Sequence, residues 1–499
     1  MSFGPPASPY TESATAAEKA RRRRRTRLLG AVAATVVGAL AVTAALLAYT
    51  ADDTAPTAGK PSTAPQSPDD IRQTVEKRPA TEAGRMAFRF SEDDMSPSEH
   101  YEMPGMWATD KILAKGINRT LVGFEIGKDV AVGDEVWSVR LDGPICGTTR
   151  HVTVDGRTAV AYRASTEEKA LCDHVAFVDL DTGKKLWQAT LPTTGTPSYA
   201  ETLPNVTMTR GTVAVTWGKG SSAYDMDSGK VLWKSPRTDD CRDTGSAGDQ
   251  ALLIRDTCFN KTTTDDTFRI RKVDPRTGKV EWTYDVSKGV GNVYLVSSEP
   301  AVLAVAAGDV DITDLITLDE NGKYRATIRL EGGNYLAECA DQINYNAIDY
   351  CPSVVVGDGQ VFLVSREDEN QTAEDNANWI IGFDVKTGKT TKKFESGRNQ
   401  LLYPLRMSGD QLLAVRVSTD NIRPYALVSL DPRTGEETPY YYFGLPTEAV
   451  VLTSPAAADF VVQNGRLFFG TKVATGPDNG KEKEWKWLVV GVESVRRGG

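Results

Sequence analysis

Polar turn residues and short apolar stretches alternate at a regular spacing through most of this chain. Tight-turn dipeptides stand ahead of strand-like runs: Asp155-Gly156 before 157–162, Arg210-Gly211 before 212–217, and Gly248-Asp249 before 250–255. Further copies are Glu299-Pro300 before 301–306, Asp358-Gly359 before 360–365, Gly409-Asp410 before 411–417, and Asn464-Gly465 before 466–471. A degenerate copy, 107–110 before 111–116, comes first. Such dipeptides supply the positive backbone dihedrals that two-residue hairpins need.

A second phrase follows each of these. The next strand ends in an Asp-x-x-Thr-Gly-Lys turn, and the strand after it often carries a tryptophan. The repeat residues read this way are Asp181, Gly183 and Trp187; Asp227, Gly229 and Trp233; and Asp274, Gly278 and Trp282. Weaker copies place Asp384 with Gly388 and Asp431 with Gly435, and another runs from Asp319 to Lys323. Turn aspartates 181, 227, 274, 319, 384 and 431 are spaced by 46, 47, 45, 65 and 47 residues. Each unit therefore reads as a four-stranded antiparallel meander. The long interval holds a cysteine loop and a polar insertion, 367–378, rather than an extra unit.

Eight such units predict an all-β, eight-bladed propeller, with seven blades as the alternative. The last unit lacks a following strand. Residues 86–90 at the other end of the domain are the candidate to complete it, which would close the ring and remove an open edge.

Ahead of the repeats the pattern changes. Residues 1–27 read as a basic, disordered tail ending in Arg21 to Arg25 and Arg27. Residues 28–49 are uncharged, and twenty-two helical residues would span about 33 Å, enough for a bilayer core. The arginines place the tail in the cytoplasm and the rest of the chain outside it. A cleaved signal peptide is the competing reading, although its apolar region is usually only about 7–15 residues. Residues 50–83, rich in Pro, Thr and Ala, read as an extracytoplasmic linker, with the propeller over 84–499. The expected localisation is a single-pass cell-membrane protein.

The six cysteines fall into local pairs: Cys146 with Cys172, Cys241 with Cys258, and Cys339 with Cys351. Six cysteines allow fifteen connectivities. The nearest-neighbour set is the one in which each pair brackets one repeat unit. No Cys-x-x-Cys spacing points to a metal site. A formal net charge of −9, with the densest basic cluster standing before the apolar span, argues against nucleic-acid binding.

The phrase Asp-x-x-Thr-Gly-Lys-x-x-Trp resembles the PQQ-like propeller repeat shared by quinoprotein dehydrogenases and the bacterial outer-membrane assembly protein BamB. The resemblance covers the chain from about Arg85 onward. It implies tryptophans docked between neighbouring blades. The later blades, with Lys393 or Phe394 and Pro439 or Tyr440 near that position, depart from the pattern. The quinoprotein relatives imply adjacent cysteines over a cofactor, and no two cysteines here are adjacent in sequence. The expectation is therefore no cofactor, no metal and no catalytic residue.

Other chemistry is sparse. The histidines are His100, His151 and His174, and no Gly-x-Ser-x-Gly elbow is present. Acidic groups at Glu367–Glu369, Glu374-Asp375 and Asp309, Asp311 and Asp314 lack the order of a calcium loop. The aromatic runs Tyr440 to Phe443 and Trp485 to Trp487 read as blade packing, with an interface role as the alternative. The leading expectation is a membrane-anchored scaffold that binds an envelope protein or cell-wall ligand. The alternatives are an enzyme with its site in the central channel, or a sensor acting through a partner.

Overall fold

In the computed structural model the described residues are 66–96, 99–127, 133–167, 169–192, 203–217, 220–235, 240–259, 266–308, 311–330, 335–339, 347–365, 376–420, 422–476 and 484–495. The expected tail, apolar span and first part of the linker lie outside them, as do residues 367–375 of the polar insertion. Among the described residues no helix is long and apolar enough to cross a membrane.

The described residues form eight antiparallel blades. Their first, inner strands are Met106–Ala108, Ile145–Thr148, Asn205–Thr209, Cys241–Ala247, Val290–Ser298, Val354–Gly357, Gln400–Ser408 and Ala458–Gln463. Those of blades 1 and 8 meet, so the ring closes. Closure comes from the N-terminal side: Gly84–Met95 pairs with Glu484–Ser494 as the outer strand of blade 8, with Arg85 opposite Glu493.

Burial explains the sequence pattern. Second strands such as Arg157–Tyr162 and Thr212–Trp217 are buried on both faces and read as apolar runs. Outer strands such as Glu135–Arg140 and Val280–Asp285 alternate exposed and half-buried positions. Between blades 7 and 8 the core contains Tyr425, Tyr441, Phe443, Phe469 and Val490. The first turns of several blades hold two successive residues at positive φ: Arg210 and Gly211 at 31° and 73°, and Asn464 and Gly465 at 53° and 72°. That combination suits a two-residue hairpin between twisted strands.

Two features depart from the plain repeat. In blade 6 the inner position is divided between Tyr335–Leu336 and Val354–Gly357, both paired with Gln360–Ser365. Between them, Ile348 and Tyr350 reach other blades. The second departure concerns residues 67–83, read above as linker. They are a strap packed over the turn end of the ring, where main-chain hydrogen bonds and a buried Ile71 hold them. Their polar composition conceals this because most of their partners are backbone groups.

Candidate functional site

In blades 1 to 7 the turn between the first two strands and the turn between the last two lie at the same end of the ring; blade 8, whose outer strand comes from the N-terminal side, has only the first. In the second of these turns, a carboxylate accepts main-chain N–H groups; in blades 2, 3, 4, 6 and 7 it stands four residues before the glycine, and in blade 5 it is Asp319, three before Gly322. Asp274 Oδ1 accepts from Arg276 N at 3.1 Å and Thr277 N at 2.8 Å, and Asp384 and Asp431 do the same. In blades 2 and 3 this role belongs to Asp179 and Asp225, so the repeat read at Asp181 and Asp227 is two residues out of register. The physical reason is a second aspartate in each turn, which local spacing alone does not distinguish. Asp225 is held down to about 2, chiefly by the Ser228 hydroxyl against an opposing desolvation, with Arg276 adding to it.

Asp181 and Asp227 instead reach the preceding blade. Thr109 Oγ1 donates to Asp181 Oδ1 at 2.5 Å, and Arg157 Nη1 approaches Asp227 Oδ1 at 3.4 Å. In blade 4 the same position is Arg276, which donates to Gly211 O at 2.8 Å. These contacts clasp neighbouring blades at the turn end.

The tryptophans also act between blades. Trp137, Trp187, Trp233 and Trp282 lie over Gly183, Gly229, Gly278 and Gly322 of the next blade. Three of them donate to backbone oxygens: Trp137 to Leu180, Trp187 to Met226 and Trp233 to Pro275. At Gly388 the neighbour is the Thr327 backbone, and at Gly435 it is Lys392. The tryptophan docking therefore gives way to other contacts in the later blades.

The axis of the ring is occupied. The insertion leaving blade 6 is closed by Cys339–Cys351 and carries Ile348, Asp349 and Tyr350 inward. Ile348 O accepts from Leu295 N of blade 5 at 2.8 Å. The Ile348 side chain fills the space beside Gly245 of blade 4, where an added Cβ would lie 2.3 Å away. Asn205 of blade 3 donates to Asp349 Oδ1 at 3.0 Å, and Tyr350 donates to Asp459 of blade 8 at 3.0 Å. Three successive residues thus touch blades 3, 4, 5 and 8, which places them as a plug across the channel. Burial raises the pKa of Asp349 while Arg150 and Asn205 oppose the shift.

A polar seam leads from this plug between blades 3 and 4. Asn205 Oδ1 accepts from Ser246 Oγ at 3.1 Å, and Thr216 Oγ1 lies 3.0 Å from Ser246 Oγ and 2.8 Å from Ser221 Oγ. Farther out, Arg271 bridges Asp243 and Asp256 at 2.7 Å each. On the other face of blade 4, Arg255 is buried against Asn292 and the Val293 carbonyl, and desolvation lowers it to about 10. The sequence reading missed this network; its signal is Arg255-Asp256 directly after the apolar run 251–254.

The remaining candidates do not converge. His100 meets Thr475, His174 meets Asp173 at 2.7 Å, and desolvation aided by Arg150 pushes His151 down to about 3, leaving it neutral. Tyr441 donates to Val492 O, while Tyr440 donates to Glu76 O beneath the strap. Trp487 is buried. Asp314 accepts from Thr313, Asp309 lies outside the described residues, and among those described no group of three potential ligands is arranged to hold a metal. The three disulfides join Cys146 to Cys172, Cys241 to Cys258 and Cys339 to Cys351.

The strap has two anchors. Near blades 2 and 3, Asp155 N donates to Pro68 O, Gly211 N to Asp69 O, Val154 N to Asp70 O, and Arg72 N to Val152 O. Ile71 is buried beside Val206 and Met208. Near blades 7 and 8, Glu76 accepts from Arg406 Nη2 at 2.6 Å, Asn464 N at 3.1 Å and Gly465 N at 2.6 Å.

An eight-bladed ring whose outer-strand tryptophans dock on the turn glycines of the next blade has the arrangement of a PQQ-like propeller. The chain belongs to the family whose model is described as outer membrane protein assembly factor BamB, matched over residues 105–254, 171–438 and 266–487. Comparison with the curated proteins finds no match. Among solved structures it is similar to BamB from Moraxella catarrhalis, at 12% identity and a TM-score of 0.40, covering 80% of this chain and 99% of that one. It is also similar to quinohemoprotein alcohol dehydrogenase from Comamonas testosteroni, at 12% identity and a TM-score of 0.41, covering 86% and 78%. Both likenesses are distant and are of fold alone.

Proposed function

We propose that this chain is an extracytoplasmic scaffold that binds a protein partner of the cell envelope and performs no catalysis. The observation carrying the reading is the plug: Ile348, Asp349 and Tyr350 occupy the axis, where a ring of blades would otherwise converge on a deep pocket. What is left to a ligand is the surface of the ring. The family's description as an assembly factor is in keeping with a protein partner.

The proposal includes a single membrane anchor at residues 28–49, with Arg21 to Arg25 on the cytoplasmic side. Three disulfides support an oxidising compartment for the propeller. A photo-crosslinking amino acid placed in turn at Asp110, Asp410, Ser165 and Asn399 of the full chain in intact cells tests the scaffold reading. A discrete protein adduct confined to one end of the ring is expected. Absence of a specific adduct at every position would overturn it.

A further inference from the structure

The first strap anchor has the form of a bound peptide. Residues 68–72 run antiparallel to residues 152–155, with Ile71 paired to Thr153. The main-chain bonds from Asp155, Val154 and Gly211 to the strap, and from Arg72 to Val152, measure 2.8–3.2 Å. Such backbone pairing is indifferent to sequence; specificity comes from pockets for side chains. Three are present. Ile71, only 5% exposed, enters the cluster of Val206, Met208 and Trp217. Asp69 meets Arg157 at 3.2 Å, and Arg72 reaches Val154 O at 2.8 Å and Asp110 at 3.5 Å.

The two anchors differ in how they hold. Glu76 is fully enclosed and matched by a guanidinium and two backbone N–H groups. At the other anchor one guanidinium, Arg157, is shared by Asp69, Asp155 and Asp227 at 3.2, 3.4 and 3.4 Å. The first anchor is therefore electrostatically crowded, and Glu76 can remain seated as a pivot while residues 68–72 leave.

We infer that the groove between residues 152–155 of blade 2 and Gly211 of blade 3 recognises an extended peptide of pattern Asp-x-aliphatic-Arg from a partner protein, and that Asp69-Asp70-Ile71-Arg72 occupies it as an exchangeable internal ligand. The inference rests on the scaffold reading and names its recognition site.

The test uses the full chain in detergent and a fluorescent peptide matching residues 67–74. Wild-type chain binds weakly because its own segment competes; the Asp69→Ala, Ile71→Ser double variant binds at least about tenfold more tightly. Replacing Ile by Ser in the peptide weakens its binding to that variant by roughly 10–100-fold, the effect of one buried aliphatic side chain. A folded variant that binds no peptide overturns the inference, as does a concentration-dependent swapped dimer, which assigns the groove to a second copy. Hydrogen exchange in the wild type provides a check that does not depend on variant folding. Amides of Val154 and Gly211 should exchange faster than those of Asn464 and Gly465, and equal protection overturns the pivot. A crosslinked partner elsewhere on the ring, with no peptide binding, sinks the groove alone; absence of any crosslinked partner sinks the scaffold reading.

Discussion

Trp187 lies against Gly229 of the following blade, and its indole N–H donates to Met226 O at 2.7 Å. One residue supplies the plane and the other the absence of a side chain, so neither can be read alone. A Cβ on Gly229 would stand 2.6 Å from Trp187 Cγ, at a φ of +65°. Gly359 has a similar φ of +69° but nothing within 4 Å. Gly229→Ala should therefore cost about 2–4 kcal/mol, combining backbone strain with overpacking, and Gly359→Ala only about 1–2 kcal/mol. Chemical denaturation of the two variants checks the difference; equal losses would mean that the indole moves aside freely.

Glu76 and Arg406 make the second prediction. Glu76→Gln removes the charge that Arg406, Asn464 N and Gly465 N converge on. The Arg406 side chain keeps 29% exposure, so the loss is tempered by water, at about 2–3 kcal/mol. The strap should then become sensitive to limited proteolysis near Val75, which is already 63% exposed. Unchanged proteolysis would show that the strap does not depend on this carboxylate.

Acidification should tighten the first strap anchor. Burial raises the pKa of Asp69, Asp227, Asp155 and Asp225 add to the shift, and Arg157 opposes it. A carboxylate raised on folding is penalised in its charged form at neutral pH. As pH falls through the raised value the folded state takes up its proton first, so attachment strengthens before the ordinary carboxylate range is reached. Asp225, held to about 2, stays charged in that window. Amide exchange at Val154 and Gly211, corrected for intrinsic rates, should be slower at mildly acidic pH than at neutrality. Asp69→Asn should abolish the difference.

The plug supplies the fourth. Cys339 and Cys351 are 12 residues apart, and a loop of that length stabilises by about 3 kcal/mol in the chain-entropy model. The Cys339→Ser, Cys351→Ser double variant should lose about that much, and Leu295 N, which donates to Ile348 O, should lose its exchange protection. Retained protection would mean that Asn205 and Asp459 hold the plug without the covalent link.

The repeat was readable because each unit solves the same local problem. Gly278, Gly388 and Gly435 stand at positive φ where only a residue without Cβ sits easily, and the flanking strands must be apolar on the faces they bury. The same locality caused the register error, since Asp179 and Asp181 suit one turn equally well until the neighbouring Thr109 distinguishes them. Ile71 and Glu76 were hidden in a polar segment whose composition resembles a spacer.

The ring, its repeating blades and a candidate closing strand are thus legible in the periodicity of the chain, because turns and alternation act over a few residues; eight blades rather than seven is decided by the closed ring. What fills the ring is not legible there. Asp349 meets Asn205 across 144 residues, and Glu76 meets Gly465 across 389. Such pairs are brought together only when the blades have closed, so the plug, the strap and the groove beneath it are properties of the assembled ring.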